Sequence, residues 1–263
     1  MQNFTSAKKL EAMPPEVDLG NSNGEKDYVP PLIIPPGCRC FDCGDTGYRE
    51  YWEGGYRYVE KCHCYQQRVA QIAMKKAGVN QDYSFDNFVE HDEHQKQMKM
   101  LAKRFVDCGC DAGDWYYIGG QVGSGKTHIC TAIINKLIQF GKEARYMAWV
   151  NTSIKLKSLV ASAGDEYDQH LMQLCKVPVL YIDDFYKSQP GRPPTPADKQ
   201  LAFQLINYRY QNPSLVTIIS SELPIAKVTM LDEAVGSRIF ERCRNYLIFN
   251  ELNTEKNYRL REE

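Results

Sequence analysis

Apolar residues recur along the chain in two spacings, and their alternation predicts an α/β fold. Runs of consecutive apolar residues, which are typical of strands buried on both faces, occupy residues 115–118, 144–150, 177–184, 215–220 and 246–249. Elsewhere apolar positions repeat every three or four residues, as at Ile129, Ile133 and Leu137, and this spacing predicts amphipathic helices. Strands that alternate with helices indicate a parallel sheet covered by helices on both faces.

Further helices are predicted from the same periodicity and from residues that favour helix ends. One covers residues 65–77 and stops at Gly78, and another covers residues 94–108. A third begins after the potential caps at residues 151–153, and a short one ends near Cys175. Thr195 is the predicted cap of a later helix, with Pro196 in its first position and Asp198 three residues after the cap.

Composition changes along the chain divide it into three predicted regions. Residues 1–37 contain three Pro-Pro pairs among polar residues and are expected to form a flexible tail. Residues 38–80 contain a cysteine-framed hairpin and a helix, and residues 81–263 form the predicted α/β domain. Residues 189–196 are rich in proline and are expected to form a loop.

The octapeptide at residues 120–127 reads GQVGSGKT and satisfies the P-loop pattern GxxxxGK[ST]. Its glycines let backbone N–H groups surround phosphates at the start of a helix, so the segment predicts binding of a nucleoside triphosphate. Lys126 is expected to reach the β- and γ-phosphates, and Thr127 to place its hydroxyl on Mg²⁺. The predicted nucleotide-binding residues are Gly120, Gln121, Val122, Gly123, Ser124, Gly125, Lys126, Thr127 and His128.

The apolar run at residues 177–184 ends in two acids, as a Walker B strand does. Asp183 is expected to hold Mg²⁺ together with Thr127, and Asp184 to polarise the water that attacks ATP. The alternative is that the two acids only begin a surface loop. Because the Asp184 side chain is one methylene shorter than glutamate, we expect slow hydrolysis that suits a switch.

Four cysteines near the N-terminus have the spacing of a structural zinc site. Cys40 and Cys43 form one pair, Cys62 and Cys64 form a second, and eighteen residues separate the pairs. Four thiolates on two knuckles suit tetrahedral Zn²⁺ and indicate a zinc ribbon. Cys38 and His63 are further donors nearby, so the ligand set stays open, and a redox role is the alternative for the pairs. The other cysteines are interpreted as small core residues: Cys108, Cys110, Cys130, Cys175 and Cys243.

Charge and hydropathy limit the possible partners and location. The 263 residues carry a formal net charge of −1, so contact with nucleic acid requires local basic patches. Lys155, Lys157, Lys187 and the aromatic–basic stretch 208–210 are candidates for such contacts. The sequence has no apolar run long enough for a membrane span and no signal-peptide pattern at residues 1–9. We therefore expect a cytoplasmic protein that has no membrane partner and keeps its thiols reduced.

Arg238 lies in the segment GSRIFERC and has two readings. It is predicted to lie just inside a helix capped by Ser237 or Gly236, from which a guanidinium can reach the γ-phosphate of a neighbouring subunit. The alternative is a surface salt bridge with Glu233 or Glu241. Residue spacing does not choose between them.

Several segments together resemble the AAA+ replicative helicase loaders of the DnaC/DnaI type, with the IstB transposition helpers as near relatives. The resemblance rests on CFDCGDTGY with CHCYQQR, SFDNF, GQVGSGKTH, LYIDDF, INYRYQN, TIISSELP, GSRIFERC and the closing NYRL. It implies a P-loop NTPase fold of the AAA+ class, preceded by a small zinc-ribbon domain. It also implies Walker roles for Lys126, Thr127, Asp183 and Asp184, a sensor I position at residues 220–222, and an arginine finger at Arg238.

The resemblance further implies an ATPase that loads a hexameric replicative helicase onto single-stranded DNA and assembles with itself or with the helicase. In this family the zinc-bearing part contacts the helicase. Glu222 departs from the pattern, since asparagine is common there, and no clear sensor II arginine or separate helical lid follows Arg238. The alternative functions are a transposition helper of the IstB kind, a small-molecule kinase, and an ATP-gated adaptor with little hydrolysis. Phe85 and Phe88 either flank the adenine or belong to the core.

Overall fold

The computed structural model describes residues 40–160, 165–188 and 192–250. The predicted tail at residues 1–37, Cys38 and the closing NYRL segment lie outside the described residues, as does part of the proline-rich loop at 189–196. The chain divides into two compact units, Met1–Ala70 and Gln71–Glu263. No helix in the described ranges is both long and apolar enough to cross a lipid bilayer.

The first unit contains the predicted hairpin. Strand β1 (Tyr48–Glu53) pairs antiparallel with β2 (Tyr56–Lys61). Gly54 and Gly55 connect the strands with φ of +58° and +78°, which matches the left-handed turns that close two-residue hairpins. Helix α1 (His63–Ala77) follows β2 and continues into the second unit, where Gly78 ends it with φ of +78°.

The second unit contains a five-stranded parallel sheet. Its strands are β3 (Tyr116–Gly120), β4 (Ala144–Ala148), β5 (Val179–Asp183), β6 (Val216–Ser221) and β7 (Leu247–Asn250). They lie in the order β4-β5-β6-β3-β7, and every neighbouring pair is parallel. Because β6 lies between β3 and β5, the carboxyl ends of these three strands meet at one edge of the sheet, where ligands of open α/β sheets bind.

Seven α-helices of this unit connect or cover the strands in the described ranges. They are α2 (Glu93–Arg104), α3 (Lys126–Gln139), α4 (Trp149–Val160), α5 (Glu166–Lys176), α6 (Pro196–Tyr210), α7 (Ile225–Leu231) and α8 (Glu233–Cys243). The predicted cap of α6 is confirmed, because Thr195 and Asp198 form a reciprocal capping box. This arrangement of strands and helices confirms the predicted α/β class.

Two predicted element boundaries are wrong. The strand predicted over residues 144–150 ends at Ala148, and α4 begins at Trp149, so residues 151–153 lie within the helix and do not cap it. The Trp149 ring is buried against Phe185, with ring centroids 4.9 Å apart, and this packing favours an early helix start over the local capping residues. The helix predicted over residues 94–108 changes to a π-helical turn at Phe105–Gly109.

Candidate phosphate and metal sites

The P-loop has the backbone of a phosphate-binding loop. Gly120, Gly123 and Gly125 have φ of +143°, +79° and +89°, which L side chains rarely adopt. Helix α3 begins at Lys126 directly after the loop, so its N-terminal N–H groups and dipole point toward an anion bound there. A Cβ atom at Gly125 would also lie 3.1 Å from the Phe88 ring. The backbone conformation therefore favours glycine at this position, and the Phe88 ring leaves little room for a side chain.

Lys126 is buried in the loop that it is predicted to serve. Its Nζ donates hydrogen bonds to the carbonyl oxygens of Gly120 at 2.7 Å and Gln121 at 2.6 Å. Burial lowers the pKa of Lys126, while the nearby charges of Asp184, Glu222 and Asp183 oppose that shift. The ammonium is thus held at the loop near carboxylates that favour its charged form.

Asp183 ends β5 and collects hydroxyl donors from three strands. Its Oδ1 accepts hydrogen bonds from Tyr181 at 2.7 Å and from Ser220, and its Oδ2 accepts one from Tyr146 at 2.9 Å. Thr127 Oγ1 lies 3.4 Å from Asp183 Oδ1. A hydroxyl beside a carboxylate at a P-loop is the pair that holds Mg²⁺ in P-loop NTPases, and these residues fit that ion.

Asp184 lies just beyond the strand in a constrained position. Its φ is +55°, its N–H donates to Ser220 Oγ at 3.2 Å, and its Oδ2 accepts from Lys187 Nζ at 2.9 Å. The same Lys187 ammonium lies 2.8 Å from Glu222 Oε1. The ends of β5 and β6 are thus joined by one lysine that pairs with two carboxylates.

The side chain of His128 faces the segment that precedes α2. Its Nε2 donates to the Ser84 carbonyl and to Asn87 Oδ1, each at 3.0 Å, and its ring stacks on Tyr83 with centroids 4.5 Å apart. Phe88 meets the same ring edge-on at 5.1 Å. Hydrogen bonds and ring packing of His128 therefore hold segment 83–88 against the first turn of α3.

The two phenylalanines considered for adenine binding are both buried. Phe85 is 9% exposed and Phe88 is 4% exposed. Their burial agrees with the core interpretation and leaves little ring surface on which a base could stack.

Arg238 lies within α8 and not at its beginning, so the predicted cap was wrong. The helix begins at Glu233, and the Asp232 side chain caps it by accepting from the Val235 N–H at 3.1 Å. In the described structure Arg238 donates to Asn207 Oδ1 and to the Ala234 carbonyl, not to Glu233 or Glu241. Its guanidinium also lies 5.5 Å from the ring centres of Phe203 and Tyr210. The salt-bridge alternative is therefore wrong for this conformation.

The expectation that Arg209 contacts DNA is also wrong. Arg209 is fully buried, and its guanidinium donates to the carbonyls of Leu174, Cys175, Val177 and Val216 and to Thr217 Oγ1. Burial lowers its pKa, and these oxygens compensate for part of that cost.

Two of the lysines considered for DNA contact are paired with acids. Lys157 pairs with Asp198 at 2.6 Å, and Lys187 pairs with Asp184 and Glu222. Lys155 is exposed. Of the three candidates, only Lys155 therefore retains the exposed position that the DNA interpretation required.

The four predicted cysteine ligands come together in the first unit. Their Sγ atoms all lie within 4.8 Å of one another, with Cys40–Cys62 at 3.6 Å and Cys43–Cys64 at 3.3 Å. Tetrahedral Zn²⁺ with bonds of about 2.3 Å separates its sulfur ligands by about 3.8 Å, so the cluster fits that ion. The Gly47 N–H donates to Cys43 Sγ at 3.3 Å, as outer hydrogen bonds do around metal thiolates.

Comparison with known proteins places these sites in a family. The IstB-like ATP binding protein family matches residues 57–263. The chain belongs to this family. The IstB-like chain is 31% identical to the uncharacterized protein YqaM of Bacillus subtilis over 202 residues, which cover 73% of the chain and 63% of YqaM. It is 29% identical to the phage-like element PBSX protein XkdC of the same organism, covering 80% of the chain and 81% of XkdC.

Other relatives include proteins of replication. The replicative helicase loader DnaC of Buchnera aphidicola is 24% identical over 179 residues, covering 66% of the IstB-like chain and 69% of that loader. The solved structure of DnaI has a TM-score of 0.53 at 22% identity, covering 64% of the chain and 91% of DnaI. These comparisons confirm the predicted family and its AAA+ P-loop fold, and they support nucleotide binding by an ATPase of that class.

Some residues of the site were not predicted from the sequence. Tyr146 and Tyr181 donate to Asp183, and Lys187 bridges Asp184 and Glu222. A signal existed for Tyr181, which lies two residues before Asp183 and so on the same face of β5. Tyr146 and Lys187 depend on the strand order and on the turn after β5, which local patterns do not encode.

Proposed function

We propose that the IstB-like chain is an ATP-dependent loader of a replicative DNA helicase onto single-stranded DNA, with ATP hydrolysis acting as the switch. The observation that carries the proposal is the convergence of Lys126, Thr127, Asp183 and Asp184 at one sheet edge in a chain similar to a helicase loader. The fold neighbours add the architecture, and the cysteine cluster lies in a separate compact unit that we propose as the partner-binding part.

The geometry supports hydrolysis by activated water. Thr127 and Asp183 would hold Mg²⁺, which neutralises phosphate charge, and Lys126 would bind the β- and γ-phosphates. Asp184 would orient and deprotonate the water, since its carboxylate lies directly after the metal-binding acid. Slow, partner-stimulated turnover is expected, because the Asp184 side chain is one methylene shorter than that of glutamate.

Arg238 is proposed to act on a neighbouring copy or on the partner. It is partly exposed on α8, and its present contacts are a neutral amide, a carbonyl and two rings. A guanidinium without an acidic partner in these contacts is available to pair with a γ-phosphate. Arg238→Ala is expected to reduce ATP turnover in the assembled complex by about 10³-fold and to leave ATP binding by the isolated chain unchanged.

Zn²⁺ is proposed to bind Cys40, Cys43, Cys62 and Cys64 and to hold the hairpin that contacts the helicase. The four thiolates leave no ligand position for a substrate, which suits a structural role.

Native mass spectrometry with the replicative helicase of the same cell tests the loader function. A defined complex that forms with ATP and Mg²⁺, and that Lys126→Ala does not form, is expected. If no complex appears in any nucleotide condition while the chain is folded and metal-loaded, the loader proposal fails. The IstB-like family match then favours a transposition helper, and the same assay with a transposase would test it.

A further inference from the structure

The turn that follows β5 places a lysine beside the proposed catalytic acid. Asp184 and Tyr186 have φ of +55° and +59°, and the Lys187 N–H donates to the Asp184 carbonyl at 2.9 Å. The Phe185 and Tyr186 rings stack with centroids 4.3 Å apart, and both meet Trp149 edge-on in the core. Buried aromatic packing thus fixes the turn, and the turn fixes the base of the Lys187 side chain.

The Lys187 ammonium contacts acids from two different strands. It lies 2.9 Å from Asp184 Oδ2 at the end of β5 and 2.8 Å from Glu222 Oε1 just after β6. All three side chains are about one third exposed, so water screens them only in part. Without the lysine, the two carboxylates would repel each other across the strand ends.

The charges around the phosphate site make this pairing important for the ligand. Three carboxylates, from Asp183, Asp184 and Glu222, act on the Lys126 ammonium. Lys187 is the second cation of this group. A γ-phosphate bound beside Asp184 adds further negative charge, and it meets an uncompensated Glu222 unless Lys187 pairs with that residue.

We propose that Lys187 is a positioning residue for ATP hydrolysis: it fixes the Asp184 carboxylate and cancels the charge of Glu222, so that the site accepts a γ-phosphate. The inference rests on the proposed binding and hydrolysis of ATP at the P-loop, and it does not depend on the helicase partner. It gives a reason for a glutamate at the end of β6, where a carboxylate alone would oppose the nucleotide.

The test measures two affinities on the full-length chain with Mg²⁺. Isothermal titration with ADP and with the β,γ-imido analogue of ATP gives the ratio of their dissociation constants. The variants are Lys187→Met, Lys187→Arg, Glu222→Gln and the double variant Lys187→Met with Glu222→Gln. Lys227→Met is the matched control, because Lys227 is an exposed residue that lines the same cleft as Lys187 and Glu222. Steady-state phosphate release from ATP gives kcat and KM for each protein.

Lys187→Met is expected to weaken binding of the ATP analogue about tenfold and that of ADP less than threefold, because one charge near the γ-phosphate is lost. Adding Glu222→Gln is expected to restore the ratio of the dissociation constants of ADP and the ATP analogue. It is not expected to restore kcat, since no lysine then holds the Asp184 carboxylate in position. Lys187→Arg retains most of both properties, and Lys227→Met changes neither. A purely structural role for Lys187 would not separate affinity from kcat in this way.

Two results would overturn the inference. One is an unchanged ratio of affinities in Lys187→Met, and the other is a double variant that regains no affinity for the ATP analogue. If Lys187→Met does not fold, Glu222→Gln alone decides: tighter binding of the ATP analogue relative to ADP supports the inference, and an equal or weaker one refutes it. Failure of the wild-type chain to bind either nucleotide would instead refute the proposed function itself.

Discussion

The two units of the chain hold their functional groups by different physical means. In residues 40–70 the buried apolar side chains are the four clustered cysteines and Ala70, while Phe41, Trp52 and Tyr56 are about half exposed or more. In the second unit, referred to below as the nucleotide unit, a continuous core of aliphatic and aromatic residues extends from β3 and β5 to α4, α6 and α8. We therefore expect the first unit to depend on metal binding by its cysteine cluster, and the second on apolar burial.

This difference predicts how each unit responds to the loss of single side chains. Thiolates 3.3–3.6 Å apart repel one another when ionised, so a bound cation would stabilise this arrangement. The proposed phosphate site instead lies at the carboxyl ends of β3, β5 and β6, and packing of the apolar core determines the positions of these strands. We therefore expect the metal cluster to fail as a unit, and the nucleotide site to lose its properties one residue at a time.

The largest expected effect is removal of the metal ligands. Cys43→Ser with Cys64→Ser deletes two thiolates, and because structural zinc sites contribute about 10–16 kcal/mol, the first unit should lose its fold. Elemental analysis should show no zinc, and amide exchange should show loss of protection over residues 48–61. ATP affinity should stay within about twofold, as the nucleotide unit has its own core. Cys108→Ser is the control, because Cys108 lies outside the cluster and is exposed, so its interpretation as a core residue was wrong. Retained protection without metal would contradict the comparison.

The second effect is on the core of the nucleotide unit. Arg209→Met removes the donor for four buried backbone carbonyls and is expected to lower the free energy of unfolding by about 3–5 kcal/mol. Urea denaturation of the full chain measures the change, and the exposed Lys155→Met is the control. A decrease in the free energy of unfolding below about 1 kcal/mol would show that water replaces the guanidinium, so that this part of the core is accessible to solvent.

The third effect concerns the phosphate site alone. Lys126→Ala removes the cation at the loop and is expected to weaken ATP binding by at least about 100-fold, or about 2.7 kcal/mol. Thermal stability should change little, because apolar burial determines the loop position. Lys136→Ala on the exposed side of the same helix should leave affinity intact. Equal losses in both variants would contradict a specific phosphate contact.

The smallest expected effect comes from the N-terminal cap of α6. Thr195→Ala removes the hydroxyl that accepts from the Asp198 N–H at 3.2 Å and should destabilise the nucleotide unit by about 1 kcal/mol. Ser158→Ala, which removes an exposed hydroxyl within a helix, should change stability by less than half of that. Equal effects would show that the capping box of α6 contributes nothing particular.

Local patterns predicted the parts of the site that are continuous in sequence. The P-loop, the two acids after β5 and the cysteine pairs each have a fixed spacing set by phosphate or metal geometry. The structure places the Walker residues and the four cysteines together as expected. Strand order could not be predicted from these patterns, so the hydroxyl of Tyr146 on β4 was not expected to reach Asp183.

Errors arose where tertiary packing overrode local preference. Trp149 begins α4 because its ring enters the core, although better capping residues follow it. Arg209 suggested a surface contact because arginine is rarely fully buried, yet six oxygen acceptors around it make burial possible. Lys187 was considered for contact with nucleic acid, because the turn that places it between two acids depends on aromatic packing, which the sequence pattern does not show.

Phosphate release by the wild-type chain and Asp184→Asn, measured together with ATP affinity on the same samples, tests the central claim most directly. We expect slow release from the wild type, at least tenfold slower release from the variant, and equal affinities for ATP, because Asp184 acts on water and not on nucleotide binding. Equal rates in the two proteins would contradict hydrolysis at this carboxylate. If neither protein hydrolyses ATP, alone or with helicase and single-stranded DNA, the result would favour an adaptor whose conformation is stabilised by bound ATP without hydrolysis.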